Sequence, residues 1–403
     1  ILACFLPLIF PNTEFDLGLI FFAYFSFLAS SLIGYFANYK QTLLGADQKN
    51  YVVTAYFQTA TIIKTIIQMA LAYYTGNYYL WVIVELSFGI IYSFILNWKI
   101  NQVYPWLRSE VSQGRILFKK YPEVMKYTKQ LFVHKFTTFI QFQTTPFLIY
   151  AFVSLQTVAF YGNYTIITDK LSVFIGNLLG STGAGVGNLI AEGDRNKIMK
   201  VFWELLAIRF WFASIFIFAL YFLLEPFIIL WLGKQYILNK SILIILLCNV
   251  FIMQTRGVTD RFLYGYGLFR DVWAPIAEAV IYLVVALIAG SCLGLKGVLL
   301  GGIISMLIIV CGWKPVFLFK SGFHFPLYIY WFNWGKHLFL MFITFIIGDY
   351  VVALITIDPA ENYWEWIKYA MCITSIFVLM YTSVLSLFSQ GMRSFLQRIL
   401  RIK

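Results

Sequence analysis

Long apolar segments separated by short polar connections dominate the chain. Most of them run for about twenty residues, the length that an α-helix needs to cross the hydrocarbon core of a bilayer. The pattern predicts a partial helix at 1–10 and full spans at 16–37, 51–73, 78–97, 131–153, 158–190, 201–223, 240–257, 272–292, 297–313, 334–353 and 364–388. Because lipid cannot satisfy backbone polar groups, these segments predict an all-α polytopic membrane protein.

The composition excludes a soluble domain. Of the 403 residues, 61% are hydrophobic and only 12% are charged, and the mean hydropathy is +0.79. Such values are typical of a chain that spans a membrane many times. The five cysteines form no CxxC pair and the three histidines are widely separated. The sequence therefore predicts no metal site, no catalytic group and no cofactor.

Basic residues concentrate on alternate connections. They occupy the connections at 38–50, 98–135, 191–200, 256–271 and 314–336, and the C-terminal tail. The positive-inside rule places these connections, and with them the C-terminus, in the cytoplasm. This topology, together with anionic membrane lipids as partners, accounts for the net charge of +12 without nucleic acid as a partner.

The basic stretch at 98–130 separates two groups of spans. Its sequence, which includes YPWLRSEVSQGRILFKKYPEVMKYTKQ, is amphipathic and predicts a cytoplasmic linker at the membrane interface. The chain also begins with Ile1 inside an apolar run rather than with Met. We therefore expect further N-terminal helices to precede it.

A glycine-rich run lies inside the predicted span at 158–190. The residues GSTGAGVG at 180–187 match neither GxGxxG nor GxxxxGK[ST], and they follow no strand. Small residues on a membrane helix let neighbouring helices approach closely. The run therefore favours tight helix packing over a loop that binds a nucleotide.

Ionisable side chains predicted within the hydrocarbon, or at its cytoplasmic edge, are the candidate site residues. An unpaired charge at such depth costs on the order of several kcal/mol, so each one must pair or line water. The cations suit an anion such as pyrophosphate, and the acids suit pairing with them or carrying a coupling H⁺ or Na⁺. The predicted substrate-binding cations are Lys64, Lys170, Arg209, Arg256 and Arg261, and the predicted acids are Glu85, Asp169 and Glu278.

A structural role for these charges is the alternative. Glu85 and Lys64 would then form an internal ion pair, and Arg209, which closely follows Glu204, would reach the cytoplasmic rim. Pro146 and Pro275 fall inside predicted spans, where proline bends a helix and frees a carbonyl group. Bent helices around a central site are common in transporters.

Several segments together resemble a known family. They are ANYKQTLLGADQKNYV at 37–52, VAFYGNYTIITDKLSVFIGNLLG at 158–180, NLIAEGDRNKI at 188–198, WLGKQYI at 231–237 and GLKGVLLGGIIS at 294–305. In their order along nearly the whole chain, these segments resemble the polysaccharide transporters. That family comprises the O-antigen (Wzx-type) flippases of the multidrug/oligosaccharidyl-lipid/polysaccharide exporter superfamily.

The resemblance implies a fold of the kind found in multidrug exporters of that superfamily. It has two six-helix bundles related by pseudo-twofold symmetry, followed by two C-terminal helices. Residues 1–97 would be the end of the third helix through the sixth, so that two to three N-terminal helices are missing. Residues 131–317 would be the second bundle, with helices seven to twelve. Residues 318–403 would be the last two helices and a basic tail.

The resemblance also implies a function. The family translocates an undecaprenyl-pyrophosphate-linked oligosaccharide across the bacterial inner membrane for surface polysaccharide or O-antigen synthesis, by alternating access and without bond chemistry. Polymerase and chain-length proteins of the pathway are further expected partners. Two alternatives remain open. A cation-coupled multidrug exporter would want acidic side chains in its lumen, which the buried cations disfavour, and a membrane polymerase or ligase is disfavoured by the short outer connections.

Overall fold

A computed structural model describes residues 2–9, 16–47, 49–107, 114–180 and 182–400, and all regular structure within these ranges is helical. The α-helices are α1 (Leu6–Ile9), α2 (Leu17–Ala37), α3 (Gln41–Ala46), α4 (Asn50–Thr75), α5 (Tyr78–Val103), α6 (Gly114–Lys120), α7 (Pro122–Phe152), α8 (Leu155–Leu178), α9 (Thr182–Glu192), α10 (Arg195–Trp231), α11 (Lys240–Gly265), α12 (Trp273–Leu293), α13 (Leu295–Met306), α14 (Lys314–Leu318), α15 (Tyr328–Val352), α16 (Tyr363–Phe388) and α17 (Gln390–Leu400). Short π-helical segments at Leu307–Trp313 and Phe319–Phe323 flank α14.

The prediction of an all-α polytopic membrane protein is confirmed. Among the described residues, eight helices are long and apolar enough to cross a membrane. They are Leu17–Phe36, Tyr78–Val103, Arg195–Trp231, Lys240–Gly265, Trp273–Leu293, Leu295–Phe323, Tyr328–Val352 and Tyr363–Phe388. The remaining predicted spans coincide with the less apolar helices α4, α7 and α8.

The chain forms two compact units, Ile1–Leu117 and Phe118–Lys403, and the boundary between them falls within the basic stretch at 98–130. In the first unit, α2 and α4 both pack against α5. The Nδ2 atom of Asn38 donates to Ser93 Oγ at 3.0 Å. A Cβ atom at Gly89 would lie 2.5 Å from Ser30 Oγ, so glycine is what permits the close approach of α2 and α5.

Helix α10 is the centre of the second unit. It runs for 37 residues and packs against α11, α16 and α17. Its first turn is capped by Asp194, whose Oδ1 atom accepts from the backbone N–H groups of Asn196 and Lys197 at 3.0 and 3.1 Å. Aromatic side chains at Phe202, Phe210 and Phe218 are fully or nearly fully buried along it and fill the spaces between neighbouring helices.

Helices α12 and α13 form a hairpin with backbones in direct contact. The turn between them is made by Gly294 at a positive φ of 57°. A Cβ atom at Gly297 would stand 1.9 Å from the carbonyl oxygen of Ala289, and one at Gly301 would stand 2.9 Å from that of Tyr282. The glycine-rich segment at 294–305 is therefore one place where helices pack closely in this unit.

The structure of the glycine-rich run at 180–187 differs from the predicted one. The predicted continuous span at 158–190 is divided, because α8 ends at Leu178 and α9 begins at Thr182. Among the described residues, nothing lies within 4 Å of a Cβ atom built at Gly183 or Gly185. The prediction of a continuous helix is therefore wrong here. Close packing does occur further along the run, because a Cβ atom at Gly265 of α11 would lie 3.3 Å from Val186 Cγ1 and 3.9 Å from the Cα atom of Gly187.

The two prolines expected to bend helices also differ from each other. Pro146 lies inside α7, as predicted. Pro275 lies in the first turn of α12, where a backbone N–H has no intrahelical partner to lose. The prediction that Pro275 interrupts a helix is therefore wrong. Pro226 is a further proline inside a helix, α10, and it was not among the predicted bends.

The α12–α13 contact generates a stability prediction. We expect Gly297→Ala to lower the free energy of unfolding by at least about 1–3 kcal/mol, because the added methyl group meets backbone that cannot move without separating the helices. The midpoint of thermal unfolding in detergent measures the change. Gly335→Ala is the matched control, because nothing lies within 4 Å of its Cβ position. Equal unfolding midpoints for the two variants would contradict the packing argument.

Candidate functional site

A cavity of about 310 Å³ lies among the helices of the second unit. Its wall is formed by α7, α8, α11, α12 and α13. Pro146 of α7 is part of this wall, beside a mixed polar and apolar lining. The polar side chains that line it without carrying a charge include Gln141, Gln143, Thr145, Thr165, Asn249 and Tyr282.

Hydrogen bonds between helices hold much of this polar wall in place. The hydroxyl groups of Thr145 and Tyr282 are 2.6 Å apart, and this contact joins α7 to α12. Asn249 Nδ2 of α11 donates to the carbonyl oxygen of Leu299 in α13 at 3.2 Å. Gln143, by contrast, is exposed and makes no hydrogen bond with the described part of the chain. Its amide is therefore available to a ligand in the cavity.

Two charged side chains, Asp169 and Arg256, also line the cavity. Asp169 stands on α8 and is exposed, and it forms no salt bridge or hydrogen bond with any other described residue. Arg256 stands on α11 and is half-buried. The cavity therefore presents one acid and one base to whatever enters it, both of them predicted from the sequence as site residues.

Arg256 belongs to a buried charge network beside the cavity. Its Nε atom is 3.0 Å from Asp260 Oδ2, and its Nη1 atom is 3.6 Å from Glu278 Oε1. Lys314 completes the network, with its Nζ atom 2.7 Å from Asp260 Oδ1. Two cations and two anions balance each other, which offsets the cost of desolvating each one.

Lys314 is a member of this network that the sequence analysis missed. The prediction ended the span at 313 and placed Lys314 in the connection that follows. The end at 313 is wrong, because the helix continues through α14 to Phe323, and Lys314 is only 5% exposed. The signal that could have found it is the apolar run from Val316 to Phe319 directly after Lys314-Pro315, which indicates that the membrane segment had not ended.

A second charged contact lies between α7 and the connection that precedes α12. His134 Nε2 of α7 is 3.6 Å from Asp271 Oδ1. Burial raises the pKa of the Asp271 carboxyl group, while His134 and Lys314 act in the opposite direction. Lys314, which pairs with Asp260, therefore also acts electrostatically on Asp271.

Other predicted cations of the second unit lie outside the cavity wall. Lys170 is exposed next to Asp169. Arg261 donates from Nη1 to Thr182 Oγ1 at the start of α9. Arg209 is only 6% exposed and packs against Gly257 of α11. It does not pair with Glu204, which instead forms a salt bridge with Arg398 of α17.

In the first unit, Lys64 and Glu85 form an ion pair. The Lys64 Nζ and Glu85 Oε1 atoms are 2.7 Å apart, and Gln68 Nε2 donates to Glu85 Oε2 at 3.1 Å. The pair lines a smaller cavity of about 210 Å³ between α2, α4 and α5. The structural pairing considered for these residues is therefore present, and a role for Lys64 in substrate binding stays a prediction.

The structure sorts seven of the eight predicted site residues into three places, and the eighth, Lys170, is exposed beside Asp169. Asp169 and Arg256 line the cavity of the second unit, and Glu278 contacts Arg256 beside it. Arg209 and Arg261 lie together at another point of that unit, while Lys64 and Glu85 lie in the first unit. Among the described residues, no group of three or more His, Cys, Asp or Glu side chains is placed to hold a metal ion.

These features define a multi-pass, all-helical membrane protein with a polar, charged cavity between its helices. No family model and no curated protein matches the chain. Among solved structures it is similar to the lipid II flippase MurJ in an inward closed conformation, with 17% sequence identity and a TM-score of 0.49. The similarity covers 80% of this chain and 65% of that chain. Likeness at this level assigns neither an activity nor a substrate.

The charge network generates a second prediction. We expect Asp260→Asn to destabilise the protein by about 3–5 kcal/mol, because Arg256 and Lys314 would share a buried site with too little negative charge. The midpoint of thermal unfolding in detergent measures this loss. Glu361→Gln, which neutralises an exposed acid, is the control and should leave the midpoint unchanged. If the network did not stabilise the protein, Asp260→Asn and Glu361→Gln would both unfold at the midpoint of the parent protein.

The ion pair of the first unit generates a third prediction. Lys64→Met and Glu85→Leu should each destabilise the protein, because each leaves a half-buried charge without its partner. Combined, they should cost less than the sum of the two single changes, with a coupling of about 0.5–3 kcal/mol in a double-mutant cycle of thermal unfolding. Strict additivity would mean that the two side chains are energetically independent.

Proposed function

We propose that the protein is a flippase that moves a lipid-linked oligosaccharide across the bacterial inner membrane. The substrate is an undecaprenyl-pyrophosphate-linked glycan used for surface polysaccharide or O-antigen synthesis, and no covalent bond is made or broken. The C-terminus faces the cytoplasm, and polymerase and chain-length proteins of the same pathway act on the product. The family resemblance of the sequence and the chemistry of the second unit's cavity support this proposal.

The observation that carries the proposal is the polar cavity inside a membrane-spanning unit. Polar side chains are costly among membrane helices unless they pair or serve a solute. The exposed amide of Gln143 and the hydroxyl and amide groups beside it can both donate and accept hydrogen bonds. Sugar hydroxyl groups need that mixture of donors and acceptors, whereas a lipid tail needs neither.

The charges of the cavity suit an anionic substrate with a coupling ion. Arg256 lines the wall and, in the closed network, is shared by Asp260 and Glu278. An incoming anion competes with these carboxylates for the guanidinium group, so binding and rearrangement of the network are linked. Asp169 is the wall's exposed acid, and in the proposal it carries the H⁺ or Na⁺ whose release resets the transporter.

The acid in the wall also favours a second candidate function. A cation-coupled multidrug exporter would use Asp169 to attract a cationic drug, and the aromatic ring of Tyr161 in the same wall can stack on such a molecule. The two candidates differ in the sign of the substrate's charge. They are therefore separated by offering both substrates to one preparation.

The test is transport in proteoliposomes that contain the full chain. A fluorescent polyprenyl-pyrophosphate oligosaccharide should move between leaflets, and a fluorescent cationic dye should not. Gln143→Leu should slow flipping by about fivefold, since it removes one hydrogen bond of about 1 kcal/mol to the glycan. Asp169→Asn should remove the dependence on a proton or Na⁺ gradient.

Glu361→Gln serves as the control for both variants, because it alters an exposed side chain outside the cavity. Transport of the dye alone would replace the flippase proposal with the exporter. Parent-like flipping by Gln143→Leu and Asp169→Asn would mean that the cavity of the second unit is not the substrate's path.

A further inference from the structure

His134 and Asp271 form a buried contact to which the proposed function gives no role. His134 Nε2 of α7 is 3.6 Å from Asp271 Oδ1, in the connection between α11 and α12. The imidazole also hydrogen-bonds to the backbone of Phe269 in the same connection. Both titratable side chains are largely shielded from solvent. The pair therefore fastens α7 to this connection through groups that can gain or lose a proton.

The carboxyl group of Asp271 lacks the partners that Asp260 has. Cations lie 3.0 and 2.7 Å from the two oxygen atoms of Asp260, whereas neither oxygen atom of Asp271 makes a hydrogen bond with the described part of the chain. The side chain of Trp313 acts on Asp271, but its N–H group is likewise buried without a hydrogen bond among the described residues. A buried carboxylate in this state is costly. A positive charge on His134 would compensate it directly.

The charges around this pair leave a place for one proton. The four-membered network at the cavity is balanced by itself, but Asp271 adds a third carboxylate on which the network's Lys314 acts. With all three carboxylates and both cations ionised and His134 neutral, this described cluster carries one excess negative charge. An uncompensated charge in a buried site is strongly unfavourable. One proton on the pair of His134 and Asp271 makes the cluster neutral.

Lys314 links the pair to the cavity wall. Its Nζ atom is 2.7 Å from Asp260 Oδ1, and it also acts electrostatically on Asp271 and His134. Asp260 in turn holds Arg256, which lines the cavity. When His134 is neutral, Asp271 and Asp260 compete for Lys314. A proton on His134 relieves this competition, because the imidazolium then compensates Asp271.

We propose that His134 and Asp271 together bind one exchangeable proton, and that this proton controls how firmly Lys314 and Asp260 hold Arg256 in the cavity wall. Histidine is the side chain that ordinarily changes its charge between about pH 5 and pH 8, so the site responds in that range. Tyr264 of α11 also faces Asp271, but a phenol with an ordinary pKa of about 10 stays uncharged there. Whether the protein moves a lipid-linked oligosaccharide does not enter this proposal.

The test is a pH titration of the full chain in nanodiscs, followed by NMR of isotope-labelled histidine. The sequence contains three histidines, His134, His324 and His337, so loss of one signal in His134→Gln identifies its resonance. We expect this resonance to titrate between about pH 5 and pH 8. Asp271→Asn should lower the midpoint by about one pH unit or more, a tenfold loss of proton affinity, because the imidazolium loses its counter-charge.

A second variant, Lys314→Met, tests the link to the cavity wall. Removal of this cation should move the His134 midpoint upwards, because Lys314 opposes a positive charge on the imidazole. His324 is exposed and serves as the internal control, with the same midpoint in every variant. Glu361→Gln neutralises an exposed acid and is the control substitution, which should leave the His134 midpoint unchanged.

The results separate the proton site from its link to the cavity. A His134 resonance that does not titrate in this range, or that has the same midpoint in the parent and in Asp271→Asn, would overturn the site. A shift in Asp271→Asn without a shift in Lys314→Met would overturn the link to Arg256. Asp271→Asn keeps the four charges of the cavity network, so the site can be tested even if Lys314→Met does not fold. Because no transport is measured, a failed flipping assay and a failed proton site give separate results.

Discussion

A polar group within the bilayer is costly unless it has a partner or faces water, and this cost shapes the helices and the charge pairs described above. It makes the regular structure entirely helical in the described ranges, because a helix satisfies its own backbone. The same requirement draws Lys64 to Glu85 in the first unit and surrounds Asp260 with two cations in the second. Charges that the sequence scatters over distant helices are thus collected into pairs and networks.

Close packing provides the frame in which those charges can be placed. Helix α10 supplies the buried aromatic surface on which α11, α16 and α17 rest. The α12–α13 hairpin brings two backbones into contact through Gly297 and Gly301, and that contact sets the side of the cavity formed by Tyr282. Because these contacts involve backbone atoms, the wall of the cavity is positioned by elements that cannot easily shift.

Charge is distributed unevenly within the second unit. The network at the cavity is balanced, with Arg256 and Lys314 facing Asp260 and Glu278. Arg209 and Arg261 differ from it, because neither forms a salt bridge with a described residue. In the proposed function, the uncharged polar side chains of the cavity bind the glycan, and Arg256 in the same wall attracts the anionic part of the substrate.

The sequence by itself determined the helical class, the positions of the spans and most of the charges that matter, because length, hydropathy and the cost of buried charge are local properties. The sequence could not determine which charged side chains contact each other. Asp260 meets Lys314 across 54 positions, and only tertiary packing shows that these two side chains pair. Likewise, composition predicted a continuous helix through 180–187, whereas the structure ends α8 at Leu178 and begins α9 at Thr182, and it brings two other backbones into contact at Gly297. Whether a glycine lets two helices come into contact or ends a helix depends on neighbours that are distant in sequence. Only the fold supplies those neighbours.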